Sequence, residues 1–225
     1  VTQRLRNLSN QDLLPKDHAN FLHTIKDMNP KTIYDIGACV LHWTRKAREV
    51  WPDSRYVLFE AMEEVEPVFR ENGFKDYHLG VLSSQDNQEI EFYQNLEHPA
   101  GNSYYKENEQ LSPMATELFS EDRKVRKITK TLDTVIREKN LPIPNLVKMD
   151  VQGAELDVLK GATETLSNPE CRAVILELQH KDYNVGAPNY EQVIEYMESI
   201  GFRNEPKGPF CGSVDNFDAD YFFIK

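Results

Sequence analysis

Residues Ala173 to Leu178 form an almost unbroken apolar run, Ala-Val-Ile-Leu-Glu-Leu. Such a run predicts a strand at the centre of a parallel sheet, buried on both faces. The chain repeats this theme and alternates it with helical spacing. Thr32 to Ile36 reads as a short buried strand, Arg55 to Glu60 as a second, and Tyr77 to Leu82 as a third. Glu89 to Tyr93 alternates, Asn145 to Asp150 is a further strand, and Tyr221 to Ile224 is the last.

Between them, apolar residues fall at helical intervals. Leu22, Ile25 and Met28 predict an N-terminal helix ending near Asn29 and Pro30. Trp43, Ala47 and Val50 predict a helix that stops before Pro52, and another runs to Asn72 and Gly73, a glycine suited to a C-terminal cap. Leu132 to Lys139 reads as helical, Leu156, Leu159 and Leu166 share one face, and Val193, Ile194, Met197 and Ile200 define a helix closed by Gly201. Strands alternating with helices predict an α/β fold, with a doubly wound, mostly parallel sheet covered on both faces. A ligand then sits beyond the carboxyl ends of the strands.

The 225 residues suit one domain, with residues 1–30 as a helical extension. Residues 94–124 are polar and irregular, with Pro99, Gly101 and Pro113, and read as a lid or substrate loop, partly helical from Met114 to Phe119. The chain starts at Val1 rather than Met, which leaves room for an upstream segment of a longer chain.

The net charge of −11 disfavours a nucleic-acid partner. The cluster Arg123, Lys124, Arg126, Lys127 and Lys130 reads as a solvated strand edge or loop. No apolar run approaches the roughly 20 residues that span a bilayer, so no membrane partner is expected. Three cysteines without regular spacing, Cys39, Cys171 and Cys211, fit a reducing, cytoplasmic location. Cys39 and His42 lack a second ligand pair at zinc-finger spacing.

The first strand ends in Asp35, Ile36, Gly37 and Ala38. A dinucleotide site needs two further glycines before the helix, and an acid at the strand end repels phosphate, so a dinucleotide-dependent oxidoreductase is disfavoured. Asp35 fits better beside a cation, and S-adenosylmethionine carries an ammonium and a sulfonium but no phosphate. Glu60, at the end of the second strand, can accept hydrogen bonds from ribose hydroxyls.

The stretch Val147 to Leu156, running on to Leu159, Lys160, Gly161 and Ala162, combines a strand, an acid, a glycine turn and an amphipathic helix. Here the chain resembles the FkbM-type methyltransferases, as it does at Asp35 to Ala38, at Thr131 to Asp133 and at Glu177. The resemblance implies a seven-stranded class I methyltransferase fold, S-adenosyl-L-methionine as cofactor, and O-methylation of a sugar, glycan or other small hydroxylated acceptor. It implies cofactor contacts at Asp35, Gly37, Ala38, Glu60, Ala61, Leu82, Ser83 and Asp150. The family usually has other residues at Cys39, Ala61 and Gln152, and a glycine at Leu41. A binding module that kept the fold without the chemistry is the alternative.

Asp150 and His180 are the candidate catalytic groups, as bases for the acceptor hydroxyl. A solvent-facing His180 and a helix-capping Asp150 are the competing readings. Oxygen ligands at Asp150, Glu155 and Glu177 could gather a divalent cation, but no metal is expected. Trp43, Tyr104 and Tyr105 either stack on a sugar or pack in the core. Asp35→Ala is expected to weaken donor binding while leaving the fold intact.

Overall fold

A computed structural model describes residues 2–225; Val1, the first residue of the expected extension, lies outside them. The strands are β1 (Thr32–Ile36), β2 (Arg55–Glu60), β3 (Tyr77–Leu79), β4 (Val81–Leu82), β5 (Glu89–Tyr93), β6 (Lys124–Lys130), β7 (Leu146–Met149), β8 (Ala173–Gln179), β9 (Arg203–Asn204), β10 (Cys211–Gly212) and β11 (Asp218–Ile224). The helices are α1 (Thr2–Ser9), α2 (Lys16–Thr24), α3 (His42–Val50), α4 (Glu66–Glu71), α5 (Ala115–Leu118), α6 (Leu132–Lys139), α7 (Glu155–Lys160), α8 (Thr163–Ser167) and α9 (Tyr190–Ser199).

The main sheet has the order β10-β11-β8-β7-β1-β2-β3, with β9 also on β11. The five strands β8, β7, β1, β2 and β3 are parallel, and β11 runs antiparallel to β8. Side chains alternate across each strand, so the central strands β1, β2, β7, β8 and β11 feed two cores. Tyr34 and Ile36 of β1 join Leu132 of α6, Leu156 of α7, Leu166 of α8 and Met197 of α9. Ile33 of the same strand joins Leu5 of α1, Leu22 of α2, Trp43 of α3 and Phe69 of α4. Each such side chain removed from water contributes roughly 1.5–3 kcal/mol before entropy is counted. Helices therefore cover both faces, and the chain belongs to the doubly wound α/β class.

The main sheet has eight strands rather than the expected seven, because Glu89–Tyr93 leaves it for a separate sheet and two short strands join it. The two-residue strands β9 and β10 pair with β11, too short to leave a periodic signal. The expected third strand, Tyr77 to Leu82, is divided: Leu79 pairs with Glu60 in the main sheet, whereas Val81 pairs with Thr129 in a separate sheet of order β4-β6-β5. The expected helix through Leu156 and Leu166 breaks at Gly161 and Ala162 into α7 and α8. A Cβ at Gly161 would lie 2.2 Å from the Ser83 carbonyl oxygen, so only glycine lets these backbones meet. The N-terminal segment is two helices and a short 3-10 turn (Lys26–Met28) rather than one helix, with Asn29 left-handed at its end.

Residues 94–124 join the antiparallel pair β5 and β6, whose register sets Tyr93 opposite Lys124. They hold a turn of 3-10 helix (Pro99–Gly101) and α5. The basic cluster lies on and beside β6, where Lys124 meets Glu91 and Glu121, Arg126 meets Glu89, and Lys130 meets Glu138.

Candidate active site

Strand order reverses between β1 and β7, and the loops leaving them diverge to opposite sides. A cavity of about 280 Å³ opens there. Its floor is the strand ends: Ile36 to Cys39 after β1, Phe59 to Ala61 after β2, Lys148 with Asp150 to Gln152 at β7, and Glu177 on β8. Gly80, Val81, Leu82 and Phe92 form one wall; Leu13, Leu14, Pro15 and His18 of the N-terminal arm form another. Pro99, Ala100, Asn102 and Tyr104 of the β5–β6 connection complete it.

The turn after β1 depends on Gly37. Its φ is +77°, and a Cβ there would stand 1.8 Å from the Asp150 carbonyl oxygen. The amides of Gly37 and Ala38 both donate to the Phe59 carbonyl, 2.9 and 3.1 Å, tying the turn to β2. Glu60 then ties it further, because its carboxylate accepts from the amides of Cys39 (2.8 Å) and Met62 (3.0 Å). Burial raises the Glu60 carboxyl above its ordinary range, against the pull of those amides.

Leu41 keeps the left-handed path that a glycine would give, with φ +75°, and its fully buried side chain joins the core instead of the cavity. The backbone strain costs about 1–2 kcal/mol, but a buried leucine is worth more, about 2–5 kcal/mol against alanine. Leu41→Gly should therefore lower stability by about 2 kcal/mol in denaturant unfolding; a stabilised variant would refute this account of the loop.

Lys148 is a buried cation in an apolar strand. Its ammonium lies 3.2 Å from Asp35 Oδ1, 3.6 Å from Asp150 Oδ2 and 3.2 Å from the Gly37 carbonyl oxygen. Burial opposes its charge, but Asp35 and Asp150 outweigh that and hold it above the ordinary lysine range. Asp35 is fully buried, accepts from the Thr44 hydroxyl, and does not line the cavity. Its task in this geometry is to pair Lys148 beneath the floor. The expectation that Asp35→Ala spares the fold is thereby corrected, since removing Asp35 strands a buried cation.

Asp150 lines the cavity, and Gln152 bridges it to Glu177, the amide nitrogen 2.8 Å from each carboxylate. Burial raises Asp150, but Lys148 and neighbouring donors overcome it and hold Asp150 below its usual range. Burial, then the charges of Asp150, Asp218 and Asp220, push Glu177 well above its own. The two acids are thus pushed apart in acidity, Asp150 down and Glu177 up. An amide at position 152 donates to both, where a third carboxylate would repel them.

Glu155 turns back to its own helix start, accepting from the Val151 amide at 2.8 Å. Burial pushes its carboxyl up from 4.5 to about 7. Between those values the folded chain holds a proton that the unfolded chain releases, so this group's contribution falls as pH rises through the window. Glu155→Gln should remove up to about 3 kcal/mol of that decline. Unfolding at pH 5 and pH 8 reads it; an unchanged difference between the two pH values would rule it out.

Of the other expected residues, Gly37, Ala38, Glu60, Ala61 and Leu82 line the cavity, whereas Ser83 stands behind it, 3.3 Å from the Tyr104 hydroxyl. His180 does not line the cavity. Its Nδ1 donates to the Ser213 carbonyl oxygen (3.0 Å) and its Nε2 meets the Tyr221 hydroxyl (2.7 Å). Trp43 and Tyr104 reach the cavity wall, and Tyr104 and Tyr105 both donate to Asp157. His42 donates to the Leu8 carbonyl oxygen, and no group of three or more metal-ligating side chains occurs among the described residues.

Sequence reasoning gave Lys148 no task, although a lysine inside an apolar strand signals a buried partner. It missed His18 and Asp220. His18 is buried on the cavity wall, with Nδ1 2.8 Å from Asp220 and Nε2 2.9 Å from the Trp43 indole nitrogen. Indole can only donate, so Nε2 accepts and the proton sits on Nδ1, facing Asp220.

The sheet, with its antiparallel β11 and its cavity at the switch point, is that of the class I methyltransferases. The methyltransferase FkbM domain matches residues 35–204. The chain belongs to the FkbM methyltransferase family, whose methyl donor is S-adenosylmethionine. A curated relative, "Methyltransferase 1" of Beauveria bassiana (strain ARSEF 2860), is 28% identical over 145 residues, covering 57% of each chain. Among solved structures, a methyltransferase FkbM from Methylobacillus flagellatus KT shares the fold at TM-score 0.55 and 15% identity, over 87% of this chain and 44% of that one. The O-methyltransferase TomG from Streptomyces achromogenes, solved with S-adenosylmethionine, shares it at TM-score 0.51 and 11% identity, over 99% and 86%. The chain thus spans about half the length of the first two.

Proposed function

We propose that the protein is an S-adenosylmethionine-dependent O-methyltransferase acting on a hydroxyl of a small acceptor, a sugar or glycan in particular. The observation that carries this reading is the donor set of the cavity. Acidic side chains on or just after β2, β7 and β8, namely Glu60, Asp150 and Glu177, face it, and its one lysine is already paired. That excess of acid suits a cationic cofactor and repels phosphate. The residues fit the cofactor: Gly37 keeps the turn free of a side chain, Val81, Leu82 and Phe92 offer an apolar slot for a base, and Glu60 lies where ribose hydroxyls need an acceptor. Asp150 would hold the ammonium. When bound, the cofactor supplies an electrophilic methyl group. The protein orients the acceptor against it, which supplies much of the rate.

The β5–β6 connection acts as the lid in this reading, since four of its residues meet the cavity and Ser103 donates to the Gln152 carbonyl oxygen at 2.8 Å. Leu41 gives no ground for a module without chemistry, because its side chain leaves the cavity open. The ion-paired basic strand supports a small acceptor over a nucleic acid. No helix among the described residues is long and apolar enough to cross a membrane. Three free cysteines support a cytoplasmic setting.

Calorimetric titration with S-adenosylhomocysteine tests the reading. Micromolar binding is expected, weakened at least 100-fold by Glu60→Ala. No binding at millimolar ligand would overturn it. Transfer of the methyl group to amines but not to hydroxylated glycosides would overturn the acceptor class alone.

A further inference from the structure

We propose that Asp220 takes the proton of the acceptor hydroxyl and that His18, on the N-terminal arm, is the residue that positions it; this rests on the methyltransferase reading above. Both residues lie outside the stretch that matches the family, residues 35–204, and both line the cavity.

Four carboxyl side chains line the cavity: Glu60, Asp150, Glu177 and Asp220. Glu60 is committed to the amides of Cys39 and Met62. Asp150 accepts from Gln152 and lies beside the Lys148 ammonium, and such partners weaken it as a base. Glu177 accepts from the same Gln152 amide as Asp150 and is tied to that pair. Asp220 accepts from His18 through one oxygen, lies near Glu177, Asp218 and the Cys211 thiol, and its side chain is 13% exposed.

The arm is built to hold that contact. His18 sits edge-on to Phe210 at 5.0 Å, and Phe21 stacks on Phe210 at 3.9 Å. Trp43 blocks Nε2 and so fixes the tautomer that donates to Asp220. The imidazole cannot itself be the base without giving up the indole, so it acts through Asp220. His180, with both ring nitrogens engaged away from the cavity, does not compete.

In the step, the acceptor O–H bond breaks and its proton forms a new O–H bond on Asp220. The oxygen lone pair forms the bond to the methyl carbon, as the carbon–sulfur bond of the donor breaks with its electron pair on sulfur. A positioned base is worth typically ~10²–10⁴-fold.

The experiment compares Asp220→Asn, His18→Asn and His18→Leu with the unmodified chain. S-adenosylhomocysteine affinity should stay within about twofold in all three. Asp220→Asn should lower kcat at least 100-fold with little change in KM. His18→Leu should lower kcat about as far, whereas His18→Asn, whose amide can still donate to Asp220, should recover most of it. Nitrogen NMR of the unmodified chain should show the His18 proton on Nδ1, moved by Asp220→Asn. An unchanged kcat in Asp220→Asn, equal losses in the two His18 variants, or a proton on Nε2 would each overturn the assignment. If S-adenosylhomocysteine binds and the proton sits on Nδ1 but no hydroxyl is methylated, both this assignment and the O-methyltransferase reading fall; failure to bind defeats the cofactor reading itself.

Discussion

Gly37→Ala should lower the melting temperature by about 8–16 °C, corresponding to a loss of about 4 kcal/mol or more. The methyl group would stand 1.8 Å from the Asp150 carbonyl oxygen, at a φ of +77° that alanine seldom adopts. Neither neighbour can yield cheaply. Asp150 is held by its amide to the Ile36 carbonyl oxygen at 3.0 Å, and the turn is held by the two amides that donate to Phe59. Relief would therefore push β7 away from β1 at the point where the cavity opens. Any molecules that fold should bind S-adenosylhomocysteine poorly. Thermal unfolding decides the matter: a melting temperature within 2 °C of the parent, with affinity retained, would mean the approach is looser than described.

Lys148→Met should cost about 3–5 kcal/mol, the usual loss when one partner of a buried ion pair is removed. Methionine fills the space, so the effect isolates charge. Asp35 would be left fully buried with only the Thr44 hydroxyl, and Asp150 with only Gln152. Asp150 would lose the cation that holds its carboxyl down, so its folded-state pKa rises. A raised carboxyl pKa makes stability fall as pH rises through the window between the unfolded and folded values. The variant should thus be hurt more at pH 8 than at pH 5. Adding Asp35→Asn should restore a large part of the loss, because the two sites are in contact and not additive. A single-variant loss below about 1 kcal/mol, or no recovery in the double variant, would sink the idea that this pair is the floor of the site.

Much of this protein is legible residue by residue. The uniform run at Ala173 and the pairing of Asp35 with Gly37 foretell β8 and the β1 turn, because a buried parallel strand needs apolar residues on both faces. The boundaries of α6, β2 and β5 follow from local spacing and agree with the folded chain. Where local pattern fails, a distant partner is the cause. The stretch at Tyr77 reads as one strand, yet its halves pair with Glu60 and with Thr129. The helix after Gly153 reads as one, yet the Ser83 backbone presses on Gly161 and divides it.

The candidate site divides along the same line. Local sequence determined that Gly37, Glu60 and Asp150 stand at strand ends, because an acid or glycine after an apolar strand is written within a few residues. Only the tertiary structure decided what each acid does: Asp35 goes beneath the floor to Lys148, and Asp150 into a shared amide with Glu177. Only the tertiary structure, too, chose between the histidines. His180 follows a strand end but is turned to Tyr221, whereas His18, near the start of the chain, meets Asp220, near its end. A charge or a ring in the interior takes its role from whatever partner replaces its lost water, and that partner lies at a sequence distance no local pattern records.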